Sequence, residues 1–423
     1  MIVFDSARHP IQLDAPIHEG GEGWISRILG QPGKLAKIYK PLRQVGRETK
    51  LRWMVANPPN DPGRSIGHTS IAWPEFLLYD ARGSFVGYVM PEITNACKML
   101  NVLSPHLRVK TFASFDDHRL YRVAYNLATA VGALHACDYI IGDLNESNIL
   151  VTPEALVTVI DTDSFQVREQ REGQIIFYPC PVGRPEFTPP ELQGKAFQGE
   201  VRQPEQDAFA LAVLIFQLLM HGSHPFRAIW LGLGEPPPVE ERIYLGLFPY
   251  ANPPAAGLVS PPPNLALDRL YPPLSDLMLR CFVDGQTNPK NRPLPLEWKR
   301  LLKDGEKSFV TCPNKHVYPG HLAQCPQCGL PTPLHLVTKF KAPRIPPVPR
   351  PAIHHPPPVS APVPANLPPA AALTCTRCNA NVPAADLYCP QCANPTDPVT
   401  CRHCGFKNMP RMAKCCPMCG KYP

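Results

Sequence analysis

Three polar residues set between apolar runs could act together on a phosphate. Asp143 and Asn148 stand five apart in Ile140-Ile141-Gly142-Asp143-Leu144-Asn145-Glu146-Ser147-Asn148-Ile149-Leu150, a polar turn flanked by hydrophobic residues. Asp161 follows thirteen residues later, at the end of the strand-like run Val157-Thr158-Val159-Ile160. An aspartate and an asparagine can hold magnesium through hard oxygens, and a further aspartate can orient a hydroxyl. Those are the parts that phosphoryl transfer needs. Taken singly, each residue would pass as an ordinary turn former or cap. Order and spacing together point to chemistry.

Upstream, Gly20-Gly21-Glu22-Gly23-Trp24-Ile25-Ser26 would let the backbone approach a polyphosphate closely. Its N–H groups would stand where side chains otherwise block the way. A plain glycine turn between two strands looks the same. Lys37 lies sixteen residues past Gly21 in Ala36-Lys37-Ile38-Tyr39, and a strand-borne ammonium there can pair with phosphate oxygens. Lys40 competes for that role. Asn145-Glu146-Ser147 also fits a glycosylation sequon, but nothing in the chain routes it for secretion.

A second chemistry sits in the last quarter of the chain. Twelve of the sixteen cysteines lie between Cys312 and Cys419. Cys375-x2-Cys378-x10-Cys389-x2-Cys392 and Cys401-x2-Cys404-x11-Cys416-x2-Cys419 each offer four thiolates in two close pairs. Such pairs close a tetrahedron around Zn²⁺, and in so short a segment the metal replaces a missing core. Disulfides would require an oxidising compartment. Cys415 neighbours Cys416 and could substitute for it; the repeated Cys-Pro-x-Cys-Gly form of 325–329 and 416–420 favours Cys416. A third set, Cys312-x3-His316-x8-Cys325-x2-Cys328, needs a histidine as its fourth ligand. His316 has the tighter knuckle spacing, with His321 as the alternative.

These groups need a scaffold. Strand-like runs at 34–39, 71–79 and 85–90 precede longer helical periodicities at 119–137 and 206–220, an order that predicts an α+β fold. Between residues 342 and 372, twelve of thirty-one residues are proline, too many for a core and suited to an extended spacer. The longest apolar stretch, 208–220, is too short to span a bilayer. The first residues, with Asp5, Arg8 and His9, lack a signal peptide's apolar core. The expectation is a cytoplasmic chain with no membrane association.

The formal charge is +7, and residues 311–423 carry eleven Lys and Arg against two acids. That basicity raises nucleic acid as a partner. With three zinc sites filled, the thiolates would bring the whole chain to about +2. Nucleic acid is therefore a minor expectation.

Residues 15–300 resemble a protein kinase domain of the bacterial, eukaryotic-like Ser/Thr type. Gly21-x-Gly23 matches the nucleotide loop, with Ser26 where a third glycine is usual, and Lys37 matches the third-strand lysine. Asp143 matches the catalytic base, Asn148 the metal-binding asparagine and Asp161 the aspartate that opens the activation segment. Pro189-Pro190-Glu191 resembles the end of that segment, and Asp207 the aspartate of the large buried helix. Arg292 resembles the late arginine that pairs with the glutamate matched by Glu191. The resemblance implies ATP and Mg as nucleotide and metal, with Asp143, Lys37, Asn148 and Asp161 catalytic. Gly21, Gly23, Lys37, Glu48, Asn148 and Asp161 would bind the nucleotide and its metal.

Four departures stand out. Ile141-Gly142 replaces the His-Arg before the base, and 169–187 contains no Ser or Thr. Activity independent of activation-loop phosphorylation is therefore expected. Asn145 stands where a lysine would neutralise the transferring phosphoryl group. Asp161-Thr162-Asp163 replaces Asp-Phe-Gly, leaving Asp163 to add metal affinity or to cap a turn. Glu48, the candidate ion-pair partner of Lys37, is only eleven residues past it.

The expected organisation is a two-lobed kinase-like domain at 1–305, its lobes meeting near 92/93. A zinc knuckle follows at 309–331, then a proline-rich linker at 332–372 and a double zinc ribbon at 373–423. This order resembles a bacterial branch of atypical kinases associated with tellurium-resistance gene clusters. The branch implies a von Willebrand A-domain protein and a metal-dependent protein phosphatase as companions. A nucleotide-binding pseudokinase scaffold and a nucleic-acid-binding ribbon protein are the competing functions.

Overall fold

The computed structural model describes residues 1–337 except 42, 45, 114, 231–233, 252–257 and 260–265, together with four two-residue strands beyond them. The chain divides into two units, Met1–Arg350 and Pro351–Pro423.

The first unit opens with β1 (Ile2–Phe4), β2 (Pro10–Glu19), β3 (Gly23–Ile28) and β4 (Lys34–Tyr39). Helix α1 (Arg47–Ala56) precedes β5 (Phe76–Tyr79) and β6 (Phe85–Pro91). The six strands form a closed antiparallel barrel in the order β1-β2-β3-β4-β6-β5, sealed where Phe4 of β1 meets Tyr79 of β5. Ala36 and Ile38 join Val3, Leu13, Leu78 and Val89 in the barrel core. Side chains alternate along a strand, so Lys37 and Tyr39 leave β4 on its other face. Tyr88 of β6 stands directly opposite Lys37 in the register.

The strand expected at 71–79 is shorter than its apolar run implies. Pro74 interrupts it, and Ile71 makes only an isolated parallel bridge with Val159. Strands β1 to β3 carry no clear period-two signal. Pro10 and Pro16 sit inside β2, and its pairing with β3 shifts register on either side of Pro16.

Beyond the barrel the fold is mainly helical, which gives the α+β architecture the order of elements predicts. β7 (Cys97–Lys98), α2 (Met99–Leu103), α3 (Pro105–Thr111) and α4 (Asp117–His135) come first. The Asp116 carboxylate caps α4 by accepting the Arg119 N–H at 3.0 Å. β8 (Ile149–Val151) and β9 (Val157–Val159) complete a three-stranded sheet with β7. A hairpin of β10 (Val167–Arg171) and β11 (Gln174–Tyr178) follows, and then α5 (Pro204–Leu219). Every residue of α5 from 207 to 216 is buried, as a helix apolar on all sides must be. Glu191 and Arg292 form the expected pair through two bonds of 2.7 and 2.6 Å. Among the described residues, no helix is long and apolar enough to cross a membrane.

Strands Phe309–Thr311 and Val317–Pro319 form the hairpin of the expected knuckle. Phe309 packs edge-on against Tyr121 of α4, with ring centroids 5.0 Å apart. In the second unit, Leu373–Thr374 pairs with Asn381–Val382, and Pro398–Val399 with Met409–Pro410. Cys375 and Cys378 fall between the first two strands in sequence, Cys401 and Cys404 between the second two. All eight expected ribbon ligands (these four with Cys389, Cys392, Cys416 and Cys419) lie outside the described residues, as do residues 338–372 of the expected linker.

Candidate active site

One buried carboxylate organises the surface between barrel and helices. Asp163 sits in the short 3-10 turn Thr162–Ser164 that follows β9, with its side chain wholly shielded from solvent. Lys37 Nζ donates to both its oxygens, at 2.7 and 2.9 Å. Tyr39 Oη donates at 2.5 Å and Tyr88 Oη at 2.8 Å. Arg47 Nη1 reaches it at 3.1 Å. Strand alternation delivers the first three donors and α1 the fourth. Burial alone would raise the Asp163 carboxyl, but the Lys37 ammonium, the Tyr39 hydroxyl and Arg47 outweigh it. Together they hold it well below the usual carboxylate range. Burial pulls Lys37 the other way, and Asp163 and Asp161 overcome it to keep the ammonium charged. Asp163 therefore neither caps a turn nor has an oxygen to spare for a metal.

Glu48 is not the partner of Lys37, which corrects the sequence expectation. It accepts hydrogen bonds from Arg52, one turn along α1, and from the Tyr79 hydroxyl. The reason is helical phase. Lys50, Leu51 and Met54 are the buried residues of α1, Arg47 lies on the same face, and Glu48 lies one step round it. The helix thus presents cations where an anion is expected: Arg47 reaches the Asp163 carboxylate, and Lys50 Nζ donates to its carbonyl at 2.8 Å. Lys40, the alternative to Lys37, pairs with Glu19 at the surface instead.

The polar turn after α4 is built as the spacing implies. Asp143 accepts from Asn145 Nδ2 at 3.0 Å and from Asn148 Nδ2 at 3.2 Å. Asp207 of α5 fixes the approach to this turn by accepting the N–H groups of Ile141 and Gly142 at 2.7 and 2.8 Å. His135, at the end of α4, holds the same carboxylate at 2.9 Å. Asp161 adopts φ 59° and bonds Lys37 through Oδ1 at 2.8 Å. Burial raises the Asp143 carboxyl, with Asn145 and Asn148 opposing and Asp161 adding to the rise. Asp161 is raised by burial and by its neighbour Asp163, in part offset by Lys37.

Gly142 explains the missing arginine. It has φ 73°, and a Cβ there would lie 2.6 Å from Arg202 Nη1 and 2.7 Å from Cys180 Cβ. Arg202 fills that space from outside the turn, donating to the carbonyl of Gly142 and, at 2.7 Å, to that of Val182. In the glycine loop, Gly21 has open space around it. Gly23 does not: a Cβ would come within 2.0 Å of the Ile38 carbonyl, so strand packing alone requires that glycine.

The residues present suit a divalent cation. Among the described residues, no hydrogen bond is donated to Asn148 Oδ1 or Asp161 Oδ2; both are hard oxygens, and the Asp161 carboxyl is raised first by burial and then by the like charge of Asp163. Cys312, His316, Cys325 and Cys328 form the other candidate metal set, with ligand atoms all within 4.8 Å of one another. His316 is thereby the fourth member. His321 instead approaches the Asp268 carbonyl at 3.0 Å.

Sequence reasoning missed Arg47, Lys50, Tyr39, Tyr88 and Arg202. Part of the signal was present, since Arg47, Lys50, Leu51 and Met54 share one helical face and Tyr39 shares a strand face with Lys37. Lys50 yields a measurable consequence. Burial lowers its ammonium to about 8, with Asp163 partly opposing. Unfolded lysine titrates near ~10.4. Between those values the unfolded chain binds more protons, so stability must rise with pH and level off above the unfolded value. The unfolding free energy of wild type relative to Lys50→Met is expected to rise by roughly 3 kcal/mol from pH 7 to pH 10.5. Urea titrations across that range check it; a flat difference would contradict the assignment.

No family model matches the chain. Two curated relatives do, both named Protein kinase YegI. The protein of Escherichia coli (strain K12) is 29% identical over 333 residues, which is 78% of this chain and 50% of the relative. That of Escherichia coli O157:H7 is 30% identical over 317 residues, 74% of this chain and 48% of the relative. The chain spans about half the length of the curated relatives it matches. Over about three quarters of its length the chain is thus similar to proteins named as protein kinases, and its α+β architecture and polar site accord with that similarity.

Proposed function

We propose that the chain is an ATP- and Mg-dependent serine/threonine protein kinase that transfers the γ-phosphate to a partner protein. The observation that carries this reading is the pairing of Lys37 with Asp161 and of Asn148 with Asp143, the two pairs tied together where the Ile160 N–H donates to the Asn148 carbonyl at 2.9 Å and where Asp161 is close enough to raise the Asp143 carboxyl. In this reading Asp143 takes the proton of the substrate hydroxyl as its oxygen bonds to the γ-phosphorus. The bond from that phosphorus to the β–γ bridging oxygen breaks, and ADP leaves. Asn148 and Asp161 would hold Mg, which when bound neutralises charge on the phosphates. Lys37, kept charged by Asp163, faces the same phosphates.

Arg202 supports activity without activation-loop phosphorylation. It ties the turn holding Asp143 to the segment at Val182 directly, where no phosphate is needed. The Cys312, His316, Cys325 and Cys328 set would bind zinc as a structural site. The ribbons would dock a partner on their tether, raising its local concentration. A von Willebrand A-domain protein and a metal-dependent phosphatase are the proposed companions.

A pseudokinase scaffold is the second reading, favoured by Asn145, which donates to the Asp143 carboxylate where a lysine would face the phosphoryl group. Transfer of label from γ-³²P-ATP decides between them. Wild type is expected to label protein, and Asp143→Asn to lose at least about 100-fold in rate; equal labelling by both would sink the mechanism. Metal analysis tests the other assignment. The 423-residue chain is expected to carry three zinc ions, two of them on the ribbon cysteines. His316→Ala is expected to lose one ion and His321→Ala none; the opposite pattern would reverse the choice of ligand.

A further inference from the structure

The glycine loop carries a carboxylate where a polyphosphate would need cations left free. Glu22 Oε1 accepts from Arg47 Nη2 at 2.5 Å, and Glu22 Oε2 lies 3.8 Å from Lys37 Nζ. The main chain of Glu22 is fixed, because its carbonyl accepts the Lys40 N–H at 2.8 Å. Its side chain is more than a third exposed, so the carboxylate can leave by rotation without unpairing β3 from β4.

Arg47 stays in place without Glu22. Its Nη1 is held by Asp163 at 3.1 Å, and its guanidinium lies 4.7 Å above the Tyr39 ring. Only the Nη2 arm is spent on Glu22. A guanidinium fork matches a phosphate as well as a carboxylate. An anion arriving beside Lys37 therefore finds a second cation already aimed at the place Glu22 occupies.

We propose that Arg47 is a second phosphate-binding cation for a nucleoside triphosphate, and that Glu22 is the resident anion the polyphosphate must displace. This rests on the nucleotide reading above. The exchange leaves an anion beside Lys37 and Arg47 in either state, the single charge of Glu22 giving way to the more highly charged polyphosphate. It also keeps Arg47 paired throughout, so the helix face carrying it never presents a bare buried charge.

Calorimetric titration of the full chain with ATP and with adenosine tests the proposal. Glu22→Gln is expected to bind ATP on the order of tenfold tighter than wild type, with adenosine affinity unchanged. Arg47→Gln is expected to bind ATP on the order of tenfold more weakly, and in its background the gain from Glu22→Gln should shrink to the part owed to Lys37. Arg47→Lys, which keeps the charge without the fork, is expected to fall between. Unchanged or weaker ATP binding by Glu22→Gln, or an equal shift for adenosine, overturns the proposal alone. Failure of ATP to bind either wild type or Glu22→Gln overturns the nucleotide reading and this inference with it.

Discussion

A carboxylate removed from water must be paid for by partners, and Asp163 has four donors closing on it. An unpaired buried charge would cost several kcal/mol, so the elements that supply those donors are bound to one arrangement. β4 contributes Lys37 and Tyr39, β6 Tyr88, and α1 Arg47. The turn carrying Asp163 also carries Asp161, so locking the first places the second. Barrel, helix and the turn of Asp161 are thereby joined at a single residue. An aspartate next to the strand end does the work that a helix glutamate was expected to do for Lys37.

The same economy recurs at the turn that holds Asp143. Its geometry depends on groups far along the chain: Asp207 grips two of its N–H groups, and Arg202 reaches a carbonyl. Gly142 is needed because that arginine enters from outside. A side chain at this position would collide with the very group that replaces it. The knuckle extends this logic to the edge of the helical part, where Phe309 lies against α4 and Tyr318 donates to or accepts from Thr332 at 2.9 Å.

Much of the site was readable because its parts are local. Asp143 and Asn148 are five residues apart and fold into one turn, so spacing alone conveyed their association. The bounds of β4 and the choice of His316 followed from short-range pattern for the same reason. What escaped was set by tertiary contact. Lys37 and Asp163 are separated by 126 residues, and no local rule says which of two nearby acids will be buried beside a lysine. The phase of α1 was legible only in part: the apolar Leu51 and Met54 mark the buried face, but nothing local shows that Arg47 and Lys50 on it, and not Glu48, reach the aspartate beside Lys37. β2 was obscured by its two prolines, and β1 is only three residues long.

Asp163 is the anion that holds Lys37, and a pair of double-mutant cycles on unfolding free energy measures that directly. Lys37→Met combined with Asp163→Asn is expected to show a coupling of about 1 kcal/mol or more, whereas Lys37→Met combined with Glu48→Gln should be additive within about 0.5 kcal/mol. Strong coupling to Glu48 with additivity at Asp163 would contradict it.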